Sequence, residues 1–301
     1  MVYPTIKQLR YIVALCEEGH FGRAAARSFV SQSAFSTAIR ELETSLGCQL
    51  VDRTRRQVTI TAIGQEIGTQ ARLVIRDVES LVEIAQERKK PLSGPVRLGV
   101  IPTIAPFLLP AMLPKLRKRF PDMKPYLIED MTENLHERLL DGELDVLLLA
   151  LPYELRSTES MTLFRDPFCL AIRKGSTVAK PENYRFNRLH AESILLLEDG
   201  HCLRDHALAA CRIRNTEKVS RFAASSLLTL VEMVDADLGI TFLPEMARGS
   251  SILRNTQVRL FPMDEKSYRE IGLVWRKGSG RRDEFRQLGE FIREHHGRAQ
   301  N

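Results

Sequence analysis

The 301-residue chain contains no run of about 18 apolar residues, the length a membrane-spanning helix needs. A helical membrane protein is thereby excluded. Its opening, Met1-Val2-Tyr3-Pro4-Thr5-Ile6-Lys7, lacks a basic start followed by an apolar stretch, so no secretory leader is read there. The expected compartment is the cytoplasm. Cysteine is scarce, with five residues, and in a reducing compartment such thiols argue against structural disulfides, leaving transient redox chemistry as the exception. Neither a metal nor an organic cofactor is expected. What is present is apolar material, 44% of residues, enough for substantial cores. At this length two or three domains are expected rather than one. The net charge of +6 suits an anionic partner without identifying one.

Residues 1–60 read as a winged helix-turn-helix. Leu9, Ile12, Val13 and Cys16 recur at helical spacing behind Thr5, a candidate cap. Gly19-His20-Phe21 breaks this helix, and Arg23-Ala24-Ala25-Ala26-Arg27 opens a short second one. Ser28-Phe29-Val30 makes the turn, and Ser31 caps a third helix whose Phe35, Ile39, Leu42 and Leu46 face inward. Its other face carries Ser33, Ser36, Thr37 and Arg40, with Gln32 in the first turn. Short polar side chains and one arginine suit a helix lying in the major groove of double-stranded DNA. The segment from Val51 to Thr61 alternates like a hairpin, with Arg53, Arg55 and Arg56 at its tip. These guanidiniums suit phosphate contacts. A solvated arginine cluster is the alternative reading.

Residues 61–90 read as a linker helix. Ile67, Ala71, Val74, Val78, Leu81 and Ala85 repeat at 4, 3, 4, 3, 4, a coiled-coil seam. So narrow an apolar stripe needs a partner, and a second copy of the chain is expected to supply it. Packing on the chain's own domains is the alternative. Pro91-Leu92-Ser93-Gly94-Pro95 then marks a hinge.

From residue 91 to 301 short apolar runs alternate with amphipathic helices, which implies α/β architecture. Strands are predicted at 96–101, 125–129, 144–150, 163–172, 194–197, 218–223, 239–243 and 270–275, with helices at 105–119, 132–141 and 281–296. The length suggests two lobes like those of periplasmic binding proteins, one over about 91–164 and 268–301, the other over about 165–267. Thr103 and Thr132 follow the first two strands, where ligands sit in such sheets, although a threonine there is more often a helix cap.

Within the second lobe, Leu197-Glu198-Asp199-Gly200-His201-Cys202-Leu203-Arg204-Asp205-His206-Ala207-Leu208-Ala209-Ala210-Cys211 reads as a turn and a helix. Asp199 is the candidate cap. Nine helical steps would set the Cα atoms of Cys202 and Cys211 roughly 13.5 Å apart, beyond the ~4.4–6.8 Å that a disulfide spans. The two thiols can bond only if the helix melts. A helix N-terminus, Arg204 and a protonated His201 would stabilise a Cys202 thiolate, the species that attacks a peroxide. Two ordinary buried thiols are the alternative. Cys16, Cys48 and Cys169 stand in apolar contexts and read as core fillers.

The motifs Phe21-x-x-Ala24-Ala25 through Val30-Ser31-Gln32, Leu42-Glu43-x-x-Leu46-Gly47 and Arg53 to Gly64 resemble the LysR-type transcriptional regulators, a likeness that covers essentially the whole chain. The run Glu198 to Asp205 with Cys211 resembles, more narrowly, the peroxide-sensing activators of that family. The resemblance implies a regulator, not an enzyme, with Cys202 as the peroxidatic and Cys211 as the resolving cysteine. It places Thr103, Thr132, His201, Arg204 and Arg269 around hydrogen peroxide. It further implies a DNA-bound dimer of dimers, RNA polymerase as a partner, and reset by thiol reductants. One departure is Ser33, where the family commonly has proline, which leaves the target sequence open. A metabolite-responsive regulator, a thiol peroxidase and a solute-binding protein are the competing readings. The basic N-terminal segment speaks against the last.

Overall fold

In this computed structural model residues 3–53, 58–85, 92–180, 189–211, 213 and 216–296 are described, with the backbone alone for Arg53, Val58, Ser80 and residues 83–85. The chain divides into two compact units, residues 1–89 with the turn 140–143, and residues 90–139 with 144–301. No described helix is long and apolar enough to cross a membrane.

The first unit holds α1 (Ile6–Glu18), α2 (Phe21–Arg27), α3 (Gln32–Leu46), the antiparallel strands β1 (Val51–Arg53) and β2 (Val58–Ile60), and α4 (Ala62–Ala85). Local chemistry sets the boundaries. Thr5 and Gln8 cap α1 reciprocally, with Gln8 N–H donating to Thr5 Oγ1 at 3.2 Å and Thr5 N–H to Gln8 Oε1 at 2.9 Å. Gly19 ends that helix in the left-handed region. The break expected at Gly19-His20-Phe21 is shorter than the sequence suggests. His20 Nδ1 accepts from Gly22 and Arg23 N–H at 3.0 and 3.3 Å, so α2 already starts at Phe21. Ile12, Leu15, Ala24, Phe35, Ile39 and Leu42 are fully buried together. The Glu43 carboxylate accepts the Leu50 and Val51 N–H groups at 2.9 and 3.1 Å, which pins the hairpin to α3.

The expected seam of α4 is only partly free. Ala71 is buried and Ile67 half-buried against the unit's own core, because α4 packs along α1. Val74 and Leu81 stay exposed, at 42% and 65%. The intrachain alternative therefore holds for the first part of the stripe, and among its described side chains Val74 and Leu81 are the ones open to another chain.

The second unit holds β3 (Gly94–Val100), α5 (Ala105–Arg119), β4 (Met123–Glu129), α6 (Thr132–Leu140), β5 (Val146–Leu151), β6 (Thr158–Arg173), β7 (Ile194–Leu197), α7 (Cys202–Ala210), β8 (Val219–Ala224), α8 (Leu227–Asp235), β9 (Thr241–Pro244), β10 (Val258–Pro262), β11 (Tyr268–Arg276) and α9 (Arg282–His296). One seven-stranded sheet runs β10-β6-β11-β5-β3-β4, with β9 also on β6. β6 is the long crossing strand. Its first part pairs with β11, and from Phe168 onward it pairs with β9 and β10. Two buried cores result, one around β3, β5 and β11, the other around β7, α8 and β9. β6 exceeds the predicted strand by five residues at its start, and α8 and β10 lack a sequence expectation. The polar alternation of Thr158–Met161 masks the strand, since one of its faces is open to solvent.

Candidate functional site

Cys202 is the first residue of α7. The turn before it depends on Gly200, whose φ of +94 favours glycine and where an added Cβ would stand 3.1 Å from Met131 Sδ. The helix cap differs from expectation. His201, not Asp199, occupies the cap position, and its ring makes no capping bond. Asp199 instead pairs with Arg204 Nε at 3.0 Å, while Arg204 Nη1 donates to Leu197 O at 3.1 Å. Arg204 thus braces the start of α7 against β7. It is not among the residues lining the cavity at Cys202.

That cavity is small, about 10 Å³, and is lined by Thr103, Met131, Thr132, Gly200, His201 and Cys202 with Ile101 and Pro102. It approaches the size of a single water site. On its wall the Thr132 hydroxyl faces the Cys202 thiol, and the buried His201 Nε2 has no hydrogen-bond partner among the described residues. Such groups normally find one, since an unpaired buried donor or acceptor costs about 1–3 kcal/mol. Behind the wall lies Arg269, fully buried. Its Nη1 donates to Thr103 Oγ1 at 2.9 Å, its Nη2 to Thr103 O at 2.8 Å, and its Nε to Asp166 Oδ2 at 3.0 Å. Asp166 Oδ1 also accepts the Met246 N–H at 3.1 Å. Sequence reasoning missed Asp166 and Met246. The only available signal, an acid in a strand, does not reveal a partner 103 residues away.

The expectation of a stabilised Cys202 thiolate needs correction. Burial pushes the thiol above its ordinary range, although the Arg269 charge and the facing Thr132 hydroxyl act to lower it. Desolvation wins because the sulfur packs into the first core. Arg269, rather than Arg204 or His201, is the cation that acts on it most. Burial also raises the Asp166 carboxyl, against the pull of Arg269.

Cys211 caps the other end of α7, half-buried against the second core, its sulfur 3.8 Å from Met263 Sδ. Burial pushes its thiol up to about 12. The two thiols therefore belong to different cores, at opposite ends of an intact helix. α7 itself is short. A nine-residue helix is marginal alone, so Leu203 and Ala207 in the second core hold it. The His206 to Pro152 O contact (3.1 Å) and the Ser267 bond to Ala210 O (3.2 Å) also hold it.

In the first unit α3 presents Gln32, Ser33, Thr37 and Arg40 exposed and Ser36 half-buried. Ser31 is engaged as the cap, its Oγ accepting from Ala34 N–H at 3.3 Å and standing 3.1 Å from Ser33 Oγ. Arg55, Arg56 and the side chain of Arg53 lie outside the described residues.

Residues 6–65 match the bacterial regulatory helix-turn-helix of the lysR family, and residues 89–297 match the LysR substrate binding domain. The chain belongs to the LysR family. Among LysR-family relatives it is 42% identical over 288 residues to the "DNA-binding transcriptional dual regulator OxyR" of Escherichia coli, covering 96% of this chain and 94% of that one. It is 39% identical to the "HTH-type transcriptional regulator EstR" of Acinetobacter baylyi, covering 96% of each. A full-length OxyR of Pseudomonas aeruginosa carrying a cysteine-to-aspartate change has a similar structure, with TM-score 0.77 and 32% identity over 97% of this chain and 98% of that one. The remaining cysteines of this LysR-family chain are not all fillers. Cys16 and Cys48 are half-buried in the first core. Cys169, however, donates to Glu245 Oε2 at 2.8 Å beside Arg248, and burial with that carboxylate pushes it up to about 12.

Proposed function

We propose that this chain is a LysR-family transcription regulator that senses hydrogen peroxide through Cys202. The observation that carries the reading is the cavity of about 10 Å³ where the Cys202 thiol meets the Thr132 hydroxyl and a His201 Nε2 that has no partner among the described residues. At about the size of a single water site it must widen slightly to admit a two-oxygen molecule, but its polar walls suit a peroxide and it is far too small for a metabolite. Thr103, held by Arg269, supplies a third polar group. These groups orient the peroxide and stabilise the departing hydroxide.

The Cys202 thiolate attacks one peroxide oxygen, the O–O bond breaks, and hydroxide leaves, giving a sulfenic acid. Cys211 must then reach that sulfur. Its thiol displaces water and the S–S bond forms, which requires α7 to unwind. Two thiol equivalents from a reductant of the glutathione class reset the pair. The order–disorder change at α7 is the switch. It shifts subunit contacts in an oligomer, a dimer or dimer of dimers, and so the spacing of the DNA-binding units on promoter DNA, where RNA polymerase responds. Residues 1–60 bind DNA through Gln32, Ser33, Ser36, Thr37 and Arg40, with Arg53, Arg55 and Arg56 on phosphates. Residues 61–90 link, and residues 91–301 sense. The cytoplasm is the compartment in which a reversible thiol pair of this kind works.

Cys202→Ser abolishes the peroxide response while leaving DNA affinity intact. A variant that still responds removes Cys202 from this role. A second reading rests on a cavity of about 450 Å³ beside the first, lined by Phe107, Glu129, Asp130, His201, Ser226 and Leu227 among others. It has the size for a metabolite effector. A ligand-dependent melting shift that survives Cys202→Ser supports that reading instead.

A further inference from the structure

Phe29 is 95% exposed, and its backbone stands at φ +56, where side chains other than glycine and asparagine are strained. The turn explains the backbone. Phe29 follows the cap Ser28 of α2, its N–H donating to Ala26 O at 3.1 Å, and the Val30 N–H donates to Ala25 O at 3.1 Å. These paired bonds form a Schellman turn, which places its middle residue in the left-handed region. The apolar contact that such turns make comes from Val30, which packs on the first core. Phe29 itself gains nothing from its own unit. Its backbone is fixed by the turn and its ring points into solvent.

Two residues later Ser31 caps α3, and the exposed Gln32, Ser33, Thr37 and Arg40 follow on that helix. Phe29 is therefore continuous with the face assigned to DNA, and the inference rests on that reading. A ring has no hydrogen-bonding edge for bases. In the major groove the complementary apolar group is the thymine C5-methyl, which no other base carries. We propose that Phe29 is a specificity-determining residue, packing its ring on a thymine methyl at the entry of α3 into the major groove.

The test uses the full-length chain, a duplex selected by it from a randomised pool, and the same duplex with deoxyuridine in place of thymidine. Wild type loses roughly fourfold in affinity per contacted methyl on the deoxyuridine duplex. Phe29→Asn, which relaxes the turn, binds the thymidine duplex more weakly by at least that factor. It no longer distinguishes the two duplexes at that site, keeps the wild-type salt slope, and melts no lower than wild type. Equal methyl sensitivity in variant and wild type overturns the inference. So does a variant that binds DNA normally but fails to activate transcription, which would assign the ring to a protein partner. Failure of wild type to select any duplex would sink the DNA-binding reading itself, and Phe29 with it.

Discussion

Arg269 and Asp166 are cross-strand partners on β11 and β6, and their side chains meet at 3.0 Å with almost no solvent exposure. The pair sits where β6 passes from one core to the other, and Arg269 reaches on to Thr103 at the wall of the Cys202 cavity. The carboxylate therefore tempers the cation on which ionisation of Cys202 depends. Removing the carboxylate has two opposed effects. Asp166→Asn lowers the Cys202 pKa and speeds peroxide oxidation several-fold at pH 7. It also costs stability, up to the ~3–5 kcal/mol of a broken buried pair. Arg269→Met slows oxidation. Stopped-flow oxidation rates across pH, with thermal melts, check both, and an Asp166→Asn profile superimposed on wild type refutes the coupling.

The raised Cys202 thiol has a pH signature. Its folded pKa lies above the ordinary value of 9.0, so the folded state holds the proton more tightly than the unfolded chain does. Oxidation by peroxide should accelerate about tenfold per pH unit below that pKa, since the thiolate is the reactive form. No plateau is expected before pH 9. The sign for stability is the opposite: the contribution is complete below the unfolded pKa and is lost as pH rises through the folded one. A rate plateau near pH 6 or 7 would show a pre-formed thiolate.

α7 depends on a few side chains. Leu203→Ala, in the second core, should destabilise by about 2–5 kcal/mol, loosen the helix and hasten disulfide closure once sulfenic acid has formed. Hydrogen exchange over residues 200–213 reports this directly. Protection there should be lost on oxidation of wild type. Unchanged protection in fully disulfide-bonded protein would show that the thiols meet without melting.

Among the described side chains of the α4 stripe, Val74 and Leu81 are the ones open to another chain. Leu81→Glu, at a position 65% exposed, should weaken self-association without lowering the melting temperature of the N-terminal unit. Ala71→Glu, at a buried position, should unfold that unit. Sedimentation velocity with thermal melts separates the two. A Leu81→Glu chain that associates as wild type places the interface elsewhere.

Each of Arg53→Ala, Arg55→Ala and Arg56→Ala should lower the slope of log affinity against log salt by about one if that arginine neutralises a phosphate. An unchanged slope takes that arginine off the DNA.

Much of the fold is legible in the chain because local chemistry is strong there. Thr5, Gly19 and Ser31 bound their helices as the sequence suggests, and the 3.6-residue spacing of Phe35, Ile39 and Leu42 marks the inward face of α3. β5 reads equally well, as a continuous apolar run, and β3 and β4 read from shorter apolar stretches. Three features do not. β10 and the start of β6 carry weak patterns, because one face is wet or the segment is short, whereas α8 has a legible stripe, Leu227, Leu230, Val231 and Val234 behind Ser226, that the sequence reading passed over. The Asp199 cap is wrong because Arg204 draws the carboxylate away. The sequence also marks α4 as a uniform stripe, and only packing on α1 reveals that its first part is already used.

What the primary structure settles alone is which groups have local partners: caps, turns, inward faces, and the nine-residue spacing that keeps two thiols apart in a helix. Tertiary packing decides the rest. It brings Asp166, Arg269 and Thr103 together from three distant segments, leaves His201 Nε2 without a partner among the described residues, and raises the Cys202 thiol that the helix terminus alone would lower. The reason is that desolvation and charge pairing depend on what surrounds a group in space, and no local pattern encodes those surroundings.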